Sequence, residues 1–102
     1  IELGVTDLAA SRHFYIDTLG LIVTEQAGDS LYLRGLEERN HHSFVLTQTD
    51  EPVVRRLGFK VAGESDLDLM ERRCAGLGLA TTWVEQYAQG RTLQVRDPIG
   101  IR

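Results

Sequence analysis

A punctuated corner that occurs twice constrains this chain more than any other feature. Leu19-Gly20-Leu21 returns 58 positions later as Leu77-Gly78-Leu79. In each copy a helical stripe runs up to the glycine and a strand-like run leaves it, as expected where a helix is ended by a residue that accepts positive φ. Self-similarity at this spacing predicts two modules of one plan in tandem. The first copy is the clearer one. Within residues 5–25, Asp7 or Thr6 supplies a side-chain oxygen for helix amides that have no intrahelical partner. At about 100° per residue, Leu8, Ser11, Tyr15 and Leu19 fall on one stripe flanked by Phe14 and Ile16, while Ala10, His13 and Asp17 face away. The pattern is that of a surface helix laid on a sheet.

The strands around that helix follow from alternation. Ile1, Leu3 and Val5 alternate with Glu2 and Gly4; residues 21–26 form a β-branched and apolar run; Ala27 to Ser30 supply a turn; and Leu31 to Arg34 alternate again. The polar stretch 36–40 reads as a loop, and residues 43–48 make a fourth strand, so residues 1–49 form a βαβββ module. A linker at 50–53 follows, marked by Pro52, which cannot donate to a ladder. The plan then restarts over 54–102. Leu57, Phe59 and Val61 alternate as a strand, and Ser65 with Asp68 resembles a capping box. Leu67, Met70, Cys74 and Leu77 mark a helical stripe ended by Gly78, and residues 80–85 and 91–96 read as two strands. The expected fold class is α+β: two tandem βαβββ modules in one domain over 1–102, forming a curved mixed sheet, with the second module truncated before its last strand. Ile1 is not a methionine and already lies in a strand pattern, so the sequence is expected to be part of a longer chain.

Composition narrows the function classes. A length of 102 residues suits one domain, and 42% hydrophobic with 25% charged residues is ordinary for a globular protein. A net charge of −4 without a basic cluster argues against nucleic acid and against anionic membrane surfaces. No apolar run is long enough to span a bilayer or to serve as a signal-peptide core, so a cytoplasmic location is expected. Cys74 is the only cysteine and sits on an apolar stripe, which suits a small core residue better than a nucleophile.

The residues also carry a resemblance. Val5-Thr6-Asp7-Leu8, Ser11, Phe14-Tyr15, Leu19-Gly20-Leu21 and the turn Asp97-Pro98-Ile99-Gly100 are similar to the vicinal oxygen chelate superfamily, which contains glyoxalase I, bleomycin-resistance-type proteins and type I extradiol dioxygenases. Through Tyr32-Leu33-Arg34, Leu36-Glu37-Glu38 and His41-His42, the chain looks most like the amino-terminal domain of homoprotocatechuate (3,4-dihydroxyphenylacetate) 2,3-dioxygenases. The resemblance implies a cleft that holds a divalent metal on two His-type ligands and a carboxylate in the metal-binding relatives. The position matching the family carboxylate is Val45, which cannot ligate, and the matching first-strand position of the second module is Arg56, which is permanently cationic. The resemblance therefore implies the amino-terminal, non-catalytic domain of an extradiol dioxygenase acting on a catechol in aromatic catabolism. Fe(II) or Mn(II) is implied for a carboxy-terminal catalytic domain of the same chain, and none for these residues. Homo-oligomeric assembly and a small aromatic substrate for the whole protein are implied likewise. A metal-free small-molecule-binding protein of resistance type and a glyoxalase-like metal lyase are the alternatives.

His41 and His42 are the metal candidates, because imidazole ligates Fe, Mn and Zn; in a strand they point to opposite faces and do not chelate one ion together. His13 and Asp17 form an i,i+4 surface pair. Glu37-Glu38-Arg39 lies in a solvated loop with nothing to separate the carboxylate pKa values, and Arg72-Arg73 is a helix face without a phosphate-binding glycine loop. Tyr32, His42, Phe44, Arg56 and Trp83 are the residues expected to line a cleft or an interface.

Overall fold

A computed structural model describes residues 1–102 and divides them into two compact units, Ile1–Leu57 and Gly58–Arg102. Seven strands and two α-helices follow in the order β1 (Glu2–Val5), α1 (Leu8–Arg12), β2 (Ile22–Ala27), β3 (Ser30–Arg34), β4 (Phe44–Gln48), β5 (Val53–Arg56), α2 (Glu64–Gly76), β6 (Thr81–Gln86) and β7 (Gly90–Val95). α1 continues directly into a π-helical segment, His13–Thr18. The architecture is mixed α+β, with a five-stranded sheet in the first unit and a two-stranded one in the second.

In the first unit the helix start is capped by Asp7, whose Oδ1 accepts from the Ala10 amide at 2.9 Å. Gln48 ties the same corner to the sheet: its Oε1 accepts from the Leu8 amide at 2.9 Å and its Nε2 donates to the Thr6 carbonyl at 2.7 Å. Gly20 ends the helical stretch at φ +80°, and Gly78 does the same for α2 at φ +73°, so the repeated corner has the same backbone conformation in both copies. Between Asp7 and Gly20 one expectation fails. Leu19 does not reach the buried stripe and is 56% exposed, whereas Tyr15 and Ile16 pack on the core. The π-helical turn explains this. The Leu19 amide donates to the Phe14 carbonyl five residues back, which widens the turn and rotates later side chains away from the periodicity of an α-helix.

Five strands form one sheet in the order β2-β3-β4-β1-β5, with β1 parallel to β4 and the other pairs antiparallel. Leu31, Leu33 and Leu46 are essentially inaccessible and form the core, surrounded by Leu3, Val5, Leu8, Tyr15, Ile16, Leu21, Val23 and Phe44. One face of the sheet therefore lies under the helical layer. The alternation of β-strand side chains sends the intervening residues to the opposite, open face.

β5 departs from the sequence reading. Ladder pairing occupies Val53–Arg56, on β1, and not residues 57–61; Leu57, Phe59 and Val61 are exposed and outside any strand. Alternation alone makes no strand where no neighbour accepts the backbone hydrogen bonds.

In the second unit α2 starts two residues earlier than the Ser65–Asp68 pattern indicates. Gly63 is the N-cap residue, and the Asp66 carboxylate accepts from the Gly63 amide at 2.9 Å. Ser65 and Asp68 do not form the box; Asp68 instead accepts from Arg91 at 3.0 Å. Cys74 is buried, as a core residue would be, while Met70 and Leu77 of the same stripe are exposed. β6 and β7 form a regular antiparallel hairpin, with Thr81 opposite Val95 and Gln86 opposite Gly90. No helix is long and apolar enough to cross a membrane.

Candidate functional site

The ladder registers align one row across the open face of the first sheet: Glu25 opposite Tyr32, Tyr32 opposite Val45, Val45 opposite Glu2, and Glu2 opposite Arg56. Directly opposed residues share a face, so these five side chains emerge together, away from the leucine core. The β1–β5 ladder changes register between Glu2 and Leu3: Glu2 pairs with Arg56 and Leu3 with Val54, leaving Arg55 as the extra residue of a bulge. The bulge brings two guanidinium groups to one carboxylate. Arg55 Nη1 lies 3.0 Å from Glu2 Oε1 and Arg56 Nη1 lies 3.6 Å from Glu2 Oε2. Arg56 Nε is buried without a hydrogen-bond partner.

Val45 and Arg56 thus flank Glu2 on adjacent strands. This arrangement does not fit a divalent metal ion. Val45 offers an alkyl group, Arg56 offers a fixed positive charge, and the single carboxylate between them is already neutralised by arginine. No three His, Cys, Asp or Glu side chains of this chain gather as a metal-holding group.

His41 and His42 lie in the loop before β4, so the opposition that strand geometry would impose on neighbouring side chains does not apply to them. A loop lets neighbouring side chains converge: the two Nδ1 atoms are 2.8 Å apart and the rings stand at 89°. Tyr32 packs edge-on to both, with ring centroids 4.8 Å from His42 and 5.9 Å from His41. His42 is buried, and its pKa is lowered below the ordinary imidazole value, first by burial and then by the nearby His41; Glu25 and Glu2 pull the other way.

The remaining candidates separate. Phe44 pairs with Leu33 and packs against Tyr15 at 4.9 Å, which places it on the core face, not with Tyr32. Trp83 belongs to the second unit, where its Nε1 donates to Glu71 of α2 at 2.7 Å and the Arg91 guanidinium lies 3.8 Å from its ring centroid. Glu38 is structural: its Oε2 accepts from the Gly35 amide at 2.8 Å and from the Ser43 hydroxyl at 2.6 Å. Arg34 Nη1 holds the same loop by donating to the Glu38 carbonyl at 2.6 Å and the Gly35 carbonyl at 3.2 Å. His13 and Asp17 form the anticipated exposed pair at 2.7 Å. Glu2 and Arg55 were missed by the sequence reading. The polar position between Ile1 and Leu3 signalled the open face for Glu2, whereas nothing in the sequence marks the bulge at Arg55.

The model of the glyoxalase/bleomycin resistance protein/dioxygenase superfamily matches residues 1–102. The chain belongs to this superfamily. Among curated members, biphenyl-2,3-diol 1,2-dioxygenase of Sphingomonas paucimobilis is 35% identical over 96 residues, covering 93% of this chain and 31% of that protein. The manganese-dependent 2,3-dihydroxybiphenyl 1,2-dioxygenase of Geobacillus genomosp. 3 is 25% identical over 103 residues, covering 98% and 33%. Among solved superfamily structures, a variant of homoprotocatechuate 2,3-dioxygenase from Brevibacterium fuscum superposes with a TM-score of 0.87 at 39% identity, covering 98% of this chain and 29% of that one. The chain spans about a third or less of the length of each of these superfamily members.

Proposed function

We propose that these residues are the amino-terminal, non-catalytic domain of a type I extradiol dioxygenase that opens a catechol such as homoprotocatechuate. The observation that carries the reading is the row Val45–Glu2–Arg56. Its chemistry is that of an internal ion pair, so a resident metal has no place on this face. Similarity to ring-cleaving dioxygenases over less than a third of their length supports a second, catalytic portion of the same protein, with Fe(II) or Mn(II) held there. The present residues then serve as packing surface for that portion and for subunit assembly, in two modules read from the repeat as 1–49 and 54–102 joined by 50–53. We place the whole protein in the cytoplasm.

The test uses the full-length protein with several catechols and added Fe(II) or Mn(II), read by the absorbance of ring-opened product. Product is expected from native protein, and kcat and metal content are expected to be unchanged in Glu2→Gln and Arg56→Met. Absence of product with every catechol overturns the dioxygenase assignment; loss of metal or of kcat in those two variants overturns the non-catalytic role.

A further inference from the structure

We propose that the outer face of the first helical stretch, α1 with its π-helical continuation, docks on the same face of a second copy of the protein across a twofold axis near Phe14. The proposal rests on the reading of these residues as a surface for subunit assembly. Phe14 and Leu19 carry it. They are 49% and 56% exposed, and the Leu19 amide donates to the Phe14 carbonyl at 3.0 Å, which sets the two residues on successive turns. An uninterrupted α-helix would place Leu19 on the buried stripe with Leu8 and Tyr15. The π-turn gives up that burial and adds a leucine to an exposed aromatic, as expected of an irregular turn kept for contact with another molecule.

The pattern of the face selects its occupant. Its exposed positions 9, 10, 12–14 and 17–19 include no lysine and no glutamate, residue types that interfaces avoid, and they centre on an aromatic, a type that interfaces favour. Arg12 and His13 lie toward the start of the stretch and Asp17 toward its end. Cations at one end and an anion at the other make the face complementary to itself, and only when the two copies run antiparallel. An axis between residues 14 and 15 sets one Phe14 beside the other. It also brings the small side chain of Ala10 opposite Leu19 of the other copy, and Arg12 and His13 alongside Asp17 of that copy. Large meets small and basic meets acidic on both sides of the axis, so a second copy fits this face without any change in the fold.

Sedimentation of the full-length protein tests this, with ring-opening kinetics read on the same samples so that failure of the interface and failure of the dioxygenase assignment are told apart. Native protein is expected to sediment as an even-numbered assembly. Phe14→Glu, a change at an exposed position outside the leucine core, is expected to sediment at half the native mass. In Phe14→Cys, mild oxidant is expected to join two copies by a disulfide between their residues 14, identified by peptide mapping. A monomeric native protein overturns the proposal, as does Phe14→Glu at the native mass. Where Phe14→Glu does not fold, the Phe14→Cys variant decides alone: no link between residues 14 overturns the interface.

Discussion

Gly4 shows how much a single residue decides here. It is buried in β1, and a Cβ added to it would meet the Thr49 side chain at 2.6 Å and Val53 Cγ1 at 2.7 Å. Gly4→Ala is therefore expected to destabilise the protein by about 1–3 kcal/mol, the ordinary cost of overpacking, as read from the denaturant midpoint. The sequence shows Gly4 only as the small member of an alternating run; that β5 passes close by becomes visible in the register. The histidines teach the same lesson from the other side. Their residue type and adjacency were legible, but the loop conformation that turns the two rings toward each other leaves no periodic signal in the sequence. Val45 and Arg56, by contrast, were understood from their side-chain chemistry alone, because neither an alkyl group nor a guanidinium ligates a metal in any backbone setting.

At the scale of elements, punctuation was more legible than periodicity. Asp7, Gly20 and Gly78 act where short polar and glycine residues must act, because capping and positive φ are local demands. Asp7→Ala is expected to cost about 1 kcal/mol of stability, the usual loss for an N-cap, measured by thermal or denaturant unfolding. The shortness of α1, five residues before the π-helical segment, makes that cap matter for the first turn. Periodicity misled where a neighbouring element overrode it. The π-turn removes Leu19 from its stripe, and residues 57–61 have the alternation of a strand without the partner that makes one. In α2, Asp66 closes the cap and Asp68 is free to meet Arg91, a choice between two carboxylates that the sequence leaves open.

Over the whole molecule the two copies of the plan are unequal in packing. The first unit has a closed leucine core, whereas among hydrophobic side chains the second fully buries Cys74 alone. Leu33→Ala, at the centre of that core, is expected to cost about 2–5 kcal/mol through lost burial and the cavity left behind, seen as a lower midpoint of the first unit's unfolding transition. The repeated corner is a feature of sequence pattern, while compactness follows the hydrogen-bond ladders, and the two divide the chain differently at β5. Val53–Arg56 lies after the proline-marked linker yet is zipped to β1. A protease that nicks the chain at Asp50 or Glu51 therefore leaves two pieces still joined by a β-ladder, and a gene divided there to isolate the first repeat discards that repeat's own edge strand; the cut that respects its sheet comes after Leu57.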